Sequence, residues 1–250
     1  RIRDCARVSL VTARNLKSVW DRRNDALRMP SPEFTATAIQ NLIEEVHDRL
    51  RGRREGKVAD YIPELATADP DDFGIVVATA DAHIDAAGDS DKEFTIQSIS
   101  KPFAYGLALK LLGREHMHAK VGVEPSGEAF NAISLDPVSG IPRNPMINAG
   151  AIATAAQIWQ HDPEAAEATL LGFLSDLAGR PLHVDENVYI SERDTGHRNR
   201  AISHLLRNFN VIESDPEGGL DLYFRQCAIA VTCRDPVSYT HLRAHETVLD

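Results

Sequence analysis

The chain has 250 residues, 43% of them apolar and 6% aromatic, and a formal net charge of −10. That length can bury one substantial core, and the acidic balance argues against nucleic acid as the main partner. No apolar run approaches the roughly 20 residues of a membrane span. Three cysteines, Cys5, Cys227 and Cys233, make neither a disulfide framework nor a metal spacing, and so sparse a count suits a reducing cytoplasm.

The charge is uneven. Residues 1–30 hold eight Lys/Arg against three Asp/Glu and read as a basic N-terminal extension, solvated or frayed rather than a docking arm. Ser31-Pro32-Glu33 then signals a helix start, with Ser as N-cap, Pro at the first helical position and an acid in the first turn. Ile39, Leu42, Ile43, Val46 and Leu50 follow at helical spacing and should pack on the main core. Residues 73–79 read as a buried strand, Asp81-Ala82-His83 as a turn, and a second short strand follows before Asp89-Ser90-Asp91. A strand pair running straight into a helix predicts an antiparallel sheet with that helix laid against it. The helix spans 101–112, carries Phe103, Leu107 and Leu111, and tolerates Pro102 in its first turn.

Asn144-Pro145-Met146-Ile147-Asn148-Ala149-Gly150-Ala151 starts as a loop and becomes helical through Gln157. Asp162-Pro163 caps a further helix, with Leu170, Leu171, Leu174 and Leu177 inward and Gly179 at its end. Ser191-Glu192-Arg193-Asp194 resembles a capping box for a helix running to about Arg207. Gly218-Gly219 opens a last segment, 220–235, of mainly helical pattern. The result is an α/β chain dominated by helices, with one catalytic domain.

Chemistry points first to Ser98-Ile99-Ser100-Lys101. A hydroxyl and an amine three residues apart on a helix share one face and suit a Ser-Lys dyad for attack on a carbonyl, although Ser-x-x-Lys also arises by chance. The Ser98 N–H, near a helix N-terminus, would serve an oxyanion. Lys101 would have to hold a neutral amine, which burial or a neighbouring cation favours. Glu192 and Asn199, seven residues apart, would lie on one helix about 10 Å apart along its axis. A carboxylate and an amide on one face suit the ammonium and carboxylate of an amino acid; otherwise Glu192 merely offsets the helix dipole. Asn148 is either a ligand donor or a left-handed turn residue, and Tyr61 and Tyr223 either line a pocket or pack. His116-Met117-His118 lacks partners at ligand spacing and reads as a surface loop. Gly-rich phosphate loops and the Lys-Thr-Gly and Ser-Asp-Asn patterns of penicillin-recognising enzymes are absent.

Taken together, six ordered segments resemble the serine-dependent glutaminase family. They are Gly56-Lys57-Val58-Ala59-Asp60-Tyr61-Ile62-Pro63, the Gln97-Ser98-x-x-Lys101 core, and Val121-Gly122-Val123-Glu124-Pro125-Ser126-Gly127. The others are Asn144 to Ile152, Ser191-Glu192-Arg193-x-x-Gly196-x-Arg198-Asn199, and Leu220-Asp221-Leu222-Tyr223-Phe224. The resemblance implies a β-lactamase/DD-peptidase-like fold, a mixed α/β sheet domain with a helical cluster. It implies hydrolysis of L-glutamine to L-glutamate and ammonia with no metal or organic cofactor. Ser98 would be the nucleophile and Lys101 its base. Tyr61, Asn148, Glu192, Asn199 and Tyr223 match substrate-binding positions, with Glu192 on the substrate ammonium. A cytoplasmic homodimer or homotetramer is expected, with no nucleic-acid or membrane partner.

Two departures from the family pattern stand out. Ala82 occupies a position where the family usually has a turn Gly. After Asp235 the family's apolar helix, second active-site Tyr and Ser-Gly-Val strand are missing, and residues 236–250 resemble a non-native tail. The expected division is therefore a leader at 1–30, an incomplete glutaminase catalytic domain at 31–235, and that tail. The expectation is a glutaminase that is active when complete and poorly active as this chain; as an alternative function, such a chain would be non-catalytic and at most bind an amino acid or a partner subunit.

Overall fold

The structure, a computed structural model, describes residues 36–79, 83–125, 127 and 132–235. The basic leader, the Ser31-Pro32-Glu33 cap, the Asp81-Ala82 turn, Ser126 and the segment 236–250 lie outside them. The chain divides into two compact units. One comprises residues through Phe94 with Leu177–Gly179 and those from Val231 on; the other comprises Thr95–Asp176 and Arg180–Ala230.

In the first unit, helix α1 (Ala36–Leu50) precedes a short 3₁₀ turn (Pro63–Thr67) and the hairpin of β1 (Gly74–Ala78) and β2 (Ile84–Gly88). The strands pair antiparallel, Gly74 opposite Gly88 through Ala78 opposite Ile84. The β-branched run Ile75-Val76-Val77 supplies the strand preference. The apolar stripe of α1 lies on this hairpin, where Ile39, Ile43 and Val77 make a core with Ile75 and Ala87 around it. Gln40 completes the edge of β2: its Nε2 donates to Ala86 O at 3.0 Å, and its Oε1 accepts from Ala86 N at 3.2 Å. A side chain thus pairs both backbone groups that an edge strand leaves open. The helix on the hairpin is therefore α1; the expected one, starting at Lys101, belongs to the other unit.

The second unit is built around α3 (Asn148–His161), against which α2 (Lys101–Lys120), α6 (His197–Asn208) and α7 (Pro216–Cys227) all pack. Ten consecutive residues of α3, Ala149 to Ile158, are buried, so it has no solvent face over that stretch. Its small side chains permit close neighbours: a Cβ on Gly219 of α7 would run into Ala156. Gln157 is buried without penalty, donating to Val211 O at 3.0 Å and pairing with His116 Nε2 at 2.9 Å. α4 (Ala166–Ala178) buries Leu170 and Leu174, half-buries Leu171 and Leu177, and stops at Gly179, whose φ of 69° suits glycine.

Helix α2 carries Pro102 in its first turn and breaks at Gly113, where φ is 80° and ψ 160°. It then resumes, so His116-Met117-His118 is helical rather than a loop, and Met117 is fully buried. The capping box read at Ser191-Glu192-Arg193-Asp194 is corrected. Asp185 is the N-cap, accepting from Asn187 N and Val188 N, and α5 runs Glu186–Thr195 with those four residues inside it. Gly196 then ends α5 and α6 begins at His197, so the expected single helix is two. A Cβ on Gly196 would strike the Phe224 ring and the Glu192 carbonyl, which is why the break sits on glycine.

The segment 220–235 is helical only to Cys227; Ile229–Val231 forms strand β5. It lies between β3 (Phe94–Thr95) and β4 (His183–Val184), with His183 opposite Ala230. The short apolar run Ala228-Ile229-Ala230-Val231 fits either a helix end or a buried strand, and pairing on both sides decides for the strand.

Candidate active site

Ser98 sits on a tight turn. Ile96 N donates to Ile229 O at 2.8 Å, and Gln97 then adopts φ 48°, a left-handed conformation costing a non-glycine residue roughly 1–3 kcal/mol. The chain passes through the 3₁₀ turn Gln97–Ser100 into α2. Ser100 secures the turn: its Oγ donates to Gln97 O at 2.6 Å and accepts from Gln226 Nε2 at 2.9 Å. Ser100 is fully buried while Ser98 is exposed, so the two serines of the tetrad have separate duties.

Lys101 is 2% exposed. It lies on the inward stripe of α2 with Ala104 and Ala108, whose small side chains leave space around a long one. Its Nζ donates to Asn148 Oδ1 at 2.7 Å and to Met146 O at 3.1 Å. The Glu192 carboxylate also acts on it electrostatically. Burial is as expected, but the charged neighbour is an anion, not the second cation that would have favoured a neutral amine.

Asn148 is the first residue of α3 and so is not a left-handed turn residue. It holds Lys101 with its oxygen and donates from Nδ2 to Asn199 Oδ1 at 3.3 Å. The preceding turn is set by Asn144, whose Oδ1 accepts from Met146 N and Ile147 N at 3.0 and 3.3 Å. Gly150 lets that turn lie against the helix, because a Cβ there would overlap the Asn144 carbonyl.

Glu192 and Asn199 reach this cluster from α5 and α6. Glu192 is 7% exposed, and its Oε2 has no hydrogen-bond partner. Burial pushes its carboxyl up to about 7, against the opposing pull of Lys101 and a hydrogen bond from Cys227. Tyr223, one turn before Cys227 on α7, is buried and hydrogen-bonds the same thiol. Ser98, Lys101, Asn148, Glu192, Asn199 and Tyr223 all belong to the second unit. Tyr61 belongs to the first, largely exposed just ahead of the 3₁₀ turn.

Such a cluster can bind a cation at Glu192 and move a proton between Lys101 and a neighbouring hydroxyl. Among the described residues no three His, Cys, Asp or Glu side chains lie together as a metal ion requires. Sequence reasoning passed over Ser100, Asn144, Met146, Cys227 and Gln226. Only Asn144 carried a local signal, an Asn before Pro that favours an Asx turn.

The glutaminase family model matches residues 56–248, most of the chain. The chain belongs to the glutaminase family. The matched span runs past Asp235 into residues 236–250. A glutaminase of Nostoc sp. is 48% identical over 203 residues, 81% of this chain and 61% of that relative. "Glutaminase 2" of Bradyrhizobium diazoefficiens is 50% identical over 201 residues, 80% of this chain and 32% of the relative. Among solved structures, Mglu in its native form aligns with a TM-score of 0.74 at 40% identity, over 83% of this chain and 49% of that one. The structure titled "Probable glutaminase ybaS" gives 0.75 at 33% identity, over 80% and 65%. The fold is thus the mixed α/β, β-lactamase-like fold of glutaminases, and the chain spans less than two thirds of these relatives. No helix among the described residues is long and apolar enough to cross a membrane.

Proposed function

We propose that this glutaminase-family chain carries the centre that hydrolyses the side-chain amide of L-glutamine through an ester on Ser98. The observation that carries the reading is Glu192, a buried carboxylate with an unpartnered oxygen, electrostatically coupled to Lys101. A buried carboxylate lacking a partner is costly unless a ligand cation completes it. The substrate ammonium supplies that cation, and Asn199 and Tyr223 bind its other polar groups. Once the ammonium neutralises Glu192, the anion facing Lys101 is screened, and Lys101 can take the Ser98 proton.

Ser98 Oγ then attacks the carboxamide carbon, with the Ser98 N–H on the oxyanion. Lys101 returns the proton to the leaving nitrogen, ammonia departs, and a γ-glutamyl ester remains. Water, deprotonated by Lys101, cleaves the ester, the proton returns to Ser98, and L-glutamate leaves. The same reading takes the full-length protein as a cytoplasmic homodimer or homotetramer, which sedimentation would check.

The test is ammonia release from L-glutamine by the protein and by Ser98→Ala. The expected result is a loss of about 10³-fold or more in the variant. Release at the parental rate from Ser98→Ala would overturn the nucleophile. Binding of L-glutamate without ammonia release would leave a binding protein and overturn the hydrolytic step.

A further inference from the structure

Gln226, the penultimate residue of α7, is fully buried. Its Nε2 donates to Ser100 Oγ at 2.9 Å, while its Oε1 has no hydrogen-bond partner. A half-satisfied buried amide is costly, and an apolar side chain of the same size would avoid that cost. The orientation of the amide is nonetheless forced. The one hydroxyl proton of Ser100 is committed to Gln97 O at 2.6 Å, so whatever meets Ser100 Oγ from the other side must donate. Turning the amide over would set oxygen against oxygen with one proton too few. The acceptor at the end of this series is the carbonyl of the peptide that joins Gln97 to Ser98. That peptide is planar and trans, so fixing its oxygen also fixes the Ser98 N–H, which points the opposite way.

We propose that Gln226 is a positioning residue for the oxyanion donor, acting through Ser100 Oγ and Gln97 O to orient and polarise the Ser98 N–H. The inference rests on the functional reading above, which gives that N–H to the oxyanion, and it assigns a residue that reading leaves idle. Hydrogen bonds in series strengthen one another. Donation into the Gln97 carbonyl draws charge across the amide, and the N–H on its far side becomes the better donor. The peptide needs holding because Gln97 is left-handed, with φ at 48°. The same stretch of chain grips the turn on its other side, since Ile229 O, three residues after Gln226, accepts from Ile96 N at 2.8 Å.

The experiment compares the parent chain, Gln226→Met, Ser100→Ala and the double variant by three readouts. Gln97-Ser98 is the one Gln-Ser pair in the sequence, so labelling Gln carbonyls with ¹³C and Ser nitrogens with ¹⁵N gives this peptide a cross-peak of its own. Acylation of Ser98 is followed in a single turnover with the γ-(4-nitrophenyl) ester of L-glutamate, by nitrophenol release and the mass of the adduct. L-Glutamate binding is measured by calorimetry. In Gln226→Met, which keeps the volume and removes the donor, the cross-peak should move and acylation should slow about tenfold, with affinity for L-glutamate within about twofold of the parent. Ser100→Ala should slow acylation at least as much, and adding Gln226→Met to it should slow it no further. An unmoved cross-peak or an unchanged acylation rate in Gln226→Met overturns the proposal. So do additive losses in the double variant, or a fall in binding that matches the fall in rate, which would mark packing damage. A parent chain that is not acylated at Ser98 overturns the functional reading and this role with it; an acylated parent with an indifferent Gln226→Met overturns this role alone.

Discussion

At the scale of single residues, Glu192 sets the strongest expectations. Its carboxyl titrates at about 7 against an ordinary 4.5, so between those values the folded chain holds a proton that the unfolded chain releases. Its neutral form thus supports folding below about pH 4.5, and that support is lost as pH rises through about 7. The swing is about 3 kcal/mol. Glu192→Gln, neutral at every pH, should melt higher than the parent at pH 8 and bind no L-glutamate at all. Ligand affinity has the opposite dependence, since only the ionised carboxylate takes an ammonium, and calorimetry should show binding weaken as pH falls through 7. A second expectation concerns Ser100, fully buried and bonded to Gln97 and Gln226. Ser100→Ala removes both bonds and should cost about 2 kcal/mol in denaturant melts. Only part of this was legible: the spacing of Ser98 and Lys101 marked the lysine, whereas its place on the inward stripe with Ala104 and Ala108 did not stand out beside the larger Phe103, Leu107 and Leu111. Gln226 was not legible, because nothing local distinguishes an amide that holds a buried hydroxyl from one that faces solvent.

At the scale of elements, position depends on where helices stop. Glu192 and Asn199 read as two turns of one helix because Gly196 alone is a weak breaker, and Ser191 to Asp194 imitates a cap. What decides is tertiary: the Phe224 ring occupies the volume that a side chain at 196 would need. The α5–α7 contact is reinforced by Arg225, stacked 4.1 Å from the Tyr189 ring centroid and paired with Asp221 and Glu167. Arg225→Ala should loosen the contact by about 1–2 kcal/mol and weaken ligand binding through Glu192, as thermal melts and calorimetry would show. The start of α3 is equally constrained. Gly150→Ala forces a methyl against the Asn144 carbonyl, so Met146 O and Asn148 must shift from Lys101. The expected cost is about 1–3 kcal/mol in stability, together with loss of ammonia release. Strand β5 escaped the sequence because three apolar residues have no period; its partners are distant in sequence, with Val184 opposite Ile229 and Ile96 N donating to Ile229 O.

At the scale of the whole chain, the pattern of elements led correctly to a mixed α/β protein rich in helices, and ordered motifs led to the family. What the motifs could not supply was grouping. The hairpin reads as support for the dyad helix because they are adjacent in sequence, yet α1 covers the hairpin and α3 organises the helices. Most of the shifted carboxylates lie on the surface and act against Glu192 in the pH balance. Asp136, held low by the backbone and hydroxyl of Ser139, and Asp91, held low by Arg234, lend support that is lost as the solution turns acidic. Ligand-free protein should therefore be most stable near about pH 4.5, where the surface carboxylates are ionised and Glu192 still holds its proton, and melting curves across pH 3 to 9 would locate that maximum.

The side chain of Asn148 has a consequence beyond support. Its oxygen is committed to an ammonium that can only donate, so its nitrogen must face Asn199, and Asn199 must answer with oxygen. The amide of Asn199 is thereby turned so that its NH₂ is the group left for another acceptor. Glu192, with only oxygens, addresses a guest that donates. On the functional reading proposed above, Asn199 would meet the ligand's carboxylate and Glu192 its ammonium, and the lysine sets the first of these at a distance. Asn148→Asp keeps the volume and the contact with Lys101 but offers Asn199 an acceptor. The Asn199 amide would then flip and present its oxygen outward. Affinity for L-glutamate should fall about tenfold or more, while the decarboxylated amine, with no carboxylate to be repelled, should bind almost as before.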